Sequence, residues 1–459
     1  MLNPLRLVEL IKPLNAALHT VDASFDSVSI DARAVQPGGL FVALSGSRVD
    51  GHDFVAQARA NGAAAALVQH AVEDPLPQLI VHDCAHALGQ LGKLNRAAFK
   101  GPLVAITGSS GKTTVKEMLA SILRECGSVL ATRGNLNNEL GVPLTLLELS
   151  PEHQFAVVEM GAAMVGDIAY SMRLAKPTIS VLTNAGVAHL GRFGSEQAIA
   201  EAKGEIFTGL SSDGQGVINL DSPWFETWYQ ALGDRKAHVF SINNPTAELR
   251  AENIELNAQG CPGFALVAPA GQISIQLNLM GRHNVANALA AAGAALALQV
   301  PLEAVRRGLL KLQPVPGRGQ SLPGHHGALI IDDSYNANPA AVRAAIDLLA
   351  SLDGRRVLVL GDMAELGRLE GQAHEQVGIY ALTQGIDALY TTGPLSALAA
   401  SAFGEGGQSF ADRAALAAAL NTQLDPQTRV LVKGSRSAGM EEVVAALVEG
   451  SHIQEEGKP

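Results

Sequence analysis

One octapeptide restricts the possible folds more than any other feature of the chain: Thr107-Gly-Ser-Ser-Gly-Lys-Thr-Thr114. The short apolar run Leu103-Val-Ala-Ile106 precedes it, and a stretch of helix-forming residues from about Lys112 to Glu125 follows. Strand, glycine turn and helix in that order make a phosphate cradle, in which backbone N–H groups and the helix N-terminus face an anion. Gly108, Ser109, Ser110, Gly111, Lys112, Thr113 and Thr114 are therefore the expected nucleotide contacts. Lys112 reaches the β- and γ-phosphates, and the Thr113 hydroxyl is the expected Mg²⁺ ligand. The usual loop has a glycine five residues before its last glycine. Here that position is Ile106, so the loop is a shortened variant.

Such a loop requires a largely parallel sheet with helices on both faces. Apolar runs at Ala156–Val158, Ile179–Leu182 and Val217–Leu220, with helical stretches between them, supply it. Before this unit, Ser27–Arg33, Leu40–Leu44 and Leu79–His82 read as strands and Ala56–Ala66 as a helix, up to the break at Lys100-Gly-Pro102. After the cluster Gln313-Pro-Val-Pro-Gly317, runs at Ala328–Ile331, Arg356–Leu360, Ala388–Thr391 and Arg429–Val432 alternate with helices such as Pro339–Leu352. The expected fold is α/β in three domains, 1–99, 100–314 and 315–459, the middle one a P-loop parallel-sheet ATPase domain and the last Rossmann-like. A length of 459 residues allows about three domains.

Charge and cysteine content exclude other classes. A net charge of −11 argues against a nucleic-acid binder. Cys84, Cys126 and Cys261 form no disulfide or zinc pattern and suit a reducing cytoplasm. No basic stretch followed by an apolar run marks a secretory signal in Met1–Leu14. The longest apolar stretch, Ala288–Val300, is shorter than the ~20 residues a span needs and reads as a buried helix. A cytoplasmic chain without membrane insertion is the expectation.

Further motifs are ambiguous one by one. Glu159, at the end of Val158-Glu-Met-Gly161, stands where a Walker-B acid holds Mg²⁺, but it serves as readily as a cap or an ion-paired carboxylate. His189, in Thr183-Asn-Ala-Gly-Val-Ala-His189, is placed near the same sheet edge. Lys203, in Glu201-Ala-Lys-Gly-Glu-Ile-Phe207, reads alone as a solvated helix residue. Asn284 and Asn287 share a helix face and can either read an adenine edge or cap. Arg318 can clamp a γ-phosphate and Asp333 a ribose hydroxyl, or both can serve a hinge.

Taken in order, these motifs resemble the Mur ligase family, along essentially the whole chain. Three segments are similar to its D-alanyl-D-alanine-adding branch: Arg133–Pro143, Asp333-Ser-Tyr-Asn-Ala-Asn-Pro339 and Leu360-Gly-Asp-Met-Ala-Glu-Leu-Gly367. The Asp-Asn-Pro-Arg motif usual in the diaminopimelate or lysine adder is missing, and the folate branch's Asp-Gly-Ala-His-Asn-Pro is replaced by the second of these segments. The resemblance implies an ATP-dependent amide-bond ligase of peptidoglycan synthesis. It would phosphorylate the carboxylate of UDP-N-acetylmuramoyl-tripeptide and pass the acyl group to D-alanyl-D-alanine.

The resemblance also implies two Mg²⁺ ions, one at Thr113 and Glu159, the other at His189 and a carbamylated Lys203. Lys112, Lys203 and His189 become the catalytic set. Asn284 and Asn287 are implied at the adenine, with Arg318 and Asp333 on phosphate and ribose. Asp31 and Arg33 would bind the UDP moiety, although Ala32 replaces the serine common in relatives, with Arg48 and His52 as weaker contacts. Asn135, Asn137 and Asn138 belong to the first branch segment and are implied substrate contacts. Tyr335, Asn336, Asn338 and Asp362 are implied at the dipeptide. The chain is expected to act as a monomer, with Pro314–Gly317 as the hinge on which the third domain swings when ATP binds. The competing readings are an adder of another amine, a P-loop kinase or motor ATPase, and a non-catalytic nucleotide-binding module.

Overall fold

The computed structural model describes residues 1–46, 48–186 and 190–450. Three large sheets follow one another along the chain, besides a two-stranded antiparallel pair of Leu5–Arg6 and Ser24–Phe25. The first has the strand order Ala17–Leu18, Gln78–Ile80, Ala65–Val68, Leu40–Val42, Val28–Ser29, and all neighbours are parallel except the first pair. One face packs Leu40, Val42 and Leu67 on Leu7, Leu10 and the helix Cys84–Ala98. The other packs Phe41 and Val68 on Val55 and Ala58.

The expected helix over Ala56–Ala66 is corrected here. The helix is Val55–Ala60, ended by Gly62 at φ +96°, and Ala65–Val68 is a strand inside the sheet. All four of its residues are buried, so it shows no alternation, and a short apolar run of that kind does not reveal its period.

The second sheet has nine strands in the order Gly271–Gln276, Pro262–Ala268, Leu249–Leu256, Lys236–Ser241, Gln215–Asn219, Ile179–Leu182, Leu103–Thr107, Phe155–Glu159, Val129–Ala131. From Val129–Ala131 to Leu249–Leu256 every pairing is parallel. The ends of Leu103–Thr107, Phe155–Glu159 and Ile179–Leu182 therefore share one edge, where ligands of open α/β sheets bind. The last three strands form an antiparallel ribbon that the sequence reading missed. The buried helix expected at Ala288–Val300 is His283–Ala297, packed under this sheet.

The third sheet runs Gln320–Pro323, Leu329–Asp333, Thr428–Lys433, Arg355–Gly361, Ala388–Thr392, Gly407–Phe410, parallel except for its first pair. The second and third units meet through apolar as well as polar groups. Met280 belongs to the hydrophobic cluster of Ile346, Leu349 and Leu358. A Cβ on Gly260 would lie 3.1 Å from Leu352 and 3.2 Å from Leu348.

Candidate active site at the junction of two sheets

The phosphate loop joins the buried strand Leu103–Thr107 to the helix Lys112–Arg124. Two of its glycines have no room for a side chain. A Cβ on Gly108 would sit 1.9 Å from the Thr183 hydroxyl, and one on Gly111, at φ +79°, 2.4 Å from Asn287 Oδ1. The neighbouring strand end braces the loop. Ser110 donates from its N–H (3.0 Å) and its hydroxyl (3.1 Å) to Asn184 Oδ1, and the Thr183 hydroxyl donates to the Ser110 carbonyl (2.7 Å). Ser109 exchanges hydrogen bonds with the backbone of Gly186.

Positive charge is in excess beside this loop. Lys112 donates to the Gly108 carbonyl at 2.7 Å. Burial lowers its pKa, Glu159 raises it and Arg318 lowers it further. Lys203, in the helix Glu196–Thr208, is only 2% exposed, which corrects its reading as a solvated residue. Burial first, and then the Lys112 charge, bring its pKa down to about 7. Lys112 thus feels one carboxylate, Glu159, and a second cation, Arg318, while Lys203 feels Lys112, an excess of positive charge that fits a polyanionic ligand.

Glu159 is 2% exposed and fully engaged. Its Oε2 accepts from the Thr113 hydroxyl (3.0 Å), its Oε1 from Asn137 Nδ2 (2.7 Å), and its N–H donates to Thr132 Oγ1 (3.0 Å). Arg318, from the third unit, donates to Thr113 Oγ1 at 3.1 Å. One carboxylate and one hydroxyl are the hard oxygen donors that Mg²⁺ shares with phosphate and water. Among the described residues, no cluster of three or more His, Cys, Asp or Glu side chains could hold a metal without such help. His189 lies outside the described residues.

Beside the loop a cavity of about 310 Å³ opens between the two sheets, lined by Asn284, Asn287, Arg318, Asp333, Asn336 and Lys433 among others. Asn284 donates to the Met280 carbonyl (2.7 Å) and accepts from Asn287 Nδ2 (2.8 Å). Asp333 is ion-paired at 2.5 Å with Lys433, a buried residue that the sequence reading missed. Lys433 also donates to the Asn336 carbonyl at 2.9 Å. Its signal was a lysine closing an apolar strand ahead of Gly434-Ser-Arg436, as Glu159 closes another.

The four residues expected at the dipeptide separate. Asn336 and Asn338 line the cavity just described. Asn338 also caps the helix Pro339–Ala350 through the Ala341 N–H (2.9 Å). The Tyr335 ring lies 4.1 Å under the Arg318 guanidinium. Asp362 lines a different cleft of about 460 Å³, with Thr392, Asp412, Arg413, Ser437 and Glu442, at the carboxyl edge of the third sheet.

The remaining candidates are spread more widely. Asn135 is exposed, and Asn138 accepts from the Gly141 N–H at the start of the helix Gly141–Leu147. In the first unit, Asp31 and Arg33 form a two-pronged pair (3.0 and 2.9 Å) that holds the Asp31 carboxyl below its usual range. Arg48 is exposed. His52 is bonded within its own unit. It is buried, its Nδ1 stands 2.6 Å from Asp50, and its Nε2 accepts from the Gln69 N–H (2.8 Å), so both ring nitrogens are used inside the fold.

Comparison with known proteins agrees with this geometry. Residues 24–96 match the model described as "Mur ligase family, catalytic domain", 106–295 the "Mur ligase middle domain", and 317–436 the "Mur ligase, glutamate ligase domain". The UDP-N-acetylmuramoyl-tripeptide–D-alanyl-D-alanine ligase of Escherichia coli K12 is 45% identical, over 96% of this chain and 98% of its own. The Haemophilus influenzae ligase of that name is 38% identical over 96% and 98%. A crystal structure of MurF from Acinetobacter baumannii superposes with a TM-score of 0.91 at 36% identity, covering 97% of this chain and 98% of that one. MurF from Thermotoga maritima in complex with ADP gives 0.82 at 30%, over 92% and 96%. With this identity along nearly its whole length, and a phosphate loop, braced strand ends and junction cavity to match, the chain belongs to the Mur ligase family.

Proposed function

We propose that the protein joins D-alanyl-D-alanine to UDP-N-acetylmuramoyl-tripeptide, using ATP and releasing ADP and phosphate, in peptidoglycan synthesis. The observation that carries this reading is the meeting of Lys112 and Arg318 at the Thr113–Glu159 pair, with Lys203 buried in the field of Lys112, beside a cavity roofed by the third unit. Full-length similarity to ligases of that name supports the choice of substrates.

We assign the roles with this placement as support. The backbone of Gly108–Thr114 and Lys112 hold the phosphates, with Arg318 reaching the same point from the other unit. Asn284 and Asn287 are assigned to the base, and Asp333, held by Lys433, to the ribose. A Mg²⁺ bound at Thr113 and Glu159 would neutralise phosphate charge as phosphoryl transfer requires. A second is assigned to His189 and Lys203. Burial brings the Lys203 pKa down to about 7, which makes the free amine accessible near neutral pH. That amine can add to CO₂ with loss of a proton, turning a surplus cation into a carboxylate. The carboxylate of the tripeptide attacks the γ-phosphorus, and the dipeptide amine then displaces phosphate from the acyl phosphate. Residues 1–99, with Asp31 and Arg33, are assigned to the UDP end, 100–314 to ATP, and 315–459 to the dipeptide, for which the Asp362 cleft supplies a site separate from the nucleotide. Asn137, bonded to Glu159, is assigned to the metal carboxylate. We place the enzyme in the cytoplasm, acting as a monomer; among the described residues no helix is long and apolar enough to cross a membrane.

The direct test is phosphate release from ATP with UDP-muramoyl tripeptide, with and without D-alanyl-D-alanine. Release that needs both, together with a pentapeptide product by mass, supports the reading. Release that needs another amino acid moves the branch, and release that needs neither leaves a plain ATPase.

A further inference from the structure

The second and third units touch at a point no role above uses. The short helix Leu190–Phe193 follows the phosphate-loop brace in the second unit. The Gly191 N–H donates to the Glu365 carbonyl of the third unit at 3.0 Å. The Arg192 guanidinium stands 3.0 Å from the Glu365 carboxylate, an exposed pair that adds little by itself. Between them two backbones meet with no side chain. A Cβ on Gly191 would lie 3.1 Å from Gly367 N, and one on Gly367 would lie 2.9 Å from Gly191 Cα.

The loop that brings Gly367 there is shaped within its own unit. His374 is fully buried; its Nε2 accepts from the Met363 N–H (2.9 Å) and its Nδ1 donates to the Glu370 carbonyl (2.6 Å), tying both ends. Met363 and Leu366 are buried beneath it. Glu365, at φ +66°, and Gly367, at φ +59°, are both left-handed, a conformation that a non-glycine residue holds only where its surroundings impose it. The residue opening the loop is Asp362, which lines the cleft assigned to the dipeptide.

We propose that Gly191 and Gly367 are positioning residues, a backbone-to-backbone stop that sets the distance between the amine cleft of the third unit and the acyl-phosphate site of the second. This rests on the ligase reading above. A stop made of two glycines is stiff, because no side chain can rotate to absorb an error. Misplacement of about 1 Å is enough to slow a reaction between two bound substrates about a hundredfold. The contact thus governs the amide-forming step and not nucleotide capture, because neither glycine lines the cavity beside the phosphate loop.

Gly191→Ala is the clean variant, since Gly191 is not left-handed and the added methyl acts by bulk alone. Gly367→Asn adds a Cβ while tolerating positive φ. Each should lower kcat for pentapeptide formation at least about tenfold, while the Kd for ADP stays within about threefold and the melting temperature is unchanged. The double variant should be no slower than the worse single, because both remove one contact. Singles within about twofold of the wild type, or losses that multiply in the double variant, would overturn the proposal. If the wild-type chain makes no pentapeptide, it is the ligase reading that fails; if it does and both variants match it, only the stop fails.

Discussion

Lys203 shows what a residue pattern reveals and what it hides. As part of Glu-Ala-Lys-Gly-Glu it resembles any solvated helix start. Counted by threes and fours, it sits on the stripe Ile199, Ala200, Ile206, Phe207, all of them buried. The signal for burial was therefore present, and the wider helix packing against Trp228, whose Nε1–H donates to the Ala200 carbonyl (3.0 Å), makes it effective. Lys203→Ala should lower ligase activity about a thousandfold, unrelieved by high bicarbonate; near-normal turnover would end the two-metal reading. The sign of the pH effect on stability is fixed by the shift. The folded pKa, about 7, lies below the ordinary 10.5, so the unfolded chain holds the extra proton between those values. Stability contributed by this residue therefore rises with pH across that window. Lys203→Met should flatten the rise, measured as urea midpoints from pH 7 to pH 10. Asn137 is a different case: no sequence pattern says that an asparagine 22 residues away will orient Glu159. Removing its 2.7 Å bond in Asn137→Ala should weaken Mg²⁺ binding about tenfold, read by titrating the metal against bound ADP.

Among the elements, those bearing the phosphate loop were the most legible, because an apolar strand, a glycine turn and an amphipathic helix each have their own period. Short buried strands were not. Ala65 and Ala66, which open the strand Ala65–Val68, passed for the end of a helix, and the ribbon was overlooked although Pro262–Ala268 alternates buried and half-buried residues throughout. Helix packing was invisible in advance. Leu302–Lys311 crosses Lys112–Arg124 so closely that a Cβ on Gly308 would come within 2.4 Å of Ile122 Cα, and the Ser121 hydroxyl donates to the Gly308 carbonyl (2.7 Å). Gly308→Ala should destabilise the second unit by on the order of 1–3 kcal/mol through overpacking, visible as an earlier thermal transition. An unchanged melting profile would show that the helices part at no cost.

For the whole molecule, the order of the motifs indicated three sheets and a junction, but the contacts across the junction come from residues far apart in sequence. Arg318 on Thr113 is of this kind, and within the third unit Lys433 on Asp333 likewise joins residues far apart in sequence. Pro314–Gly317 remains our hinge. ATP with the UDP substrate should compact the molecule in X-ray scattering, and an unchanged radius of gyration would remove the hinge from the scheme. Met280 gives that motion a further property. Its side chain is seated in the third unit's apolar cluster, while its carbonyl accepts from Asn284 at the start of the helix His283–Ala297. Under our assignment of Asn284 to the base, the base and the third unit would share one mechanical linkage, and the adenine end of ATP would act as a lever and not only as a handle. Inorganic triphosphate, which fills the phosphate loop but cannot press on that lever, should bind without drawing the units together.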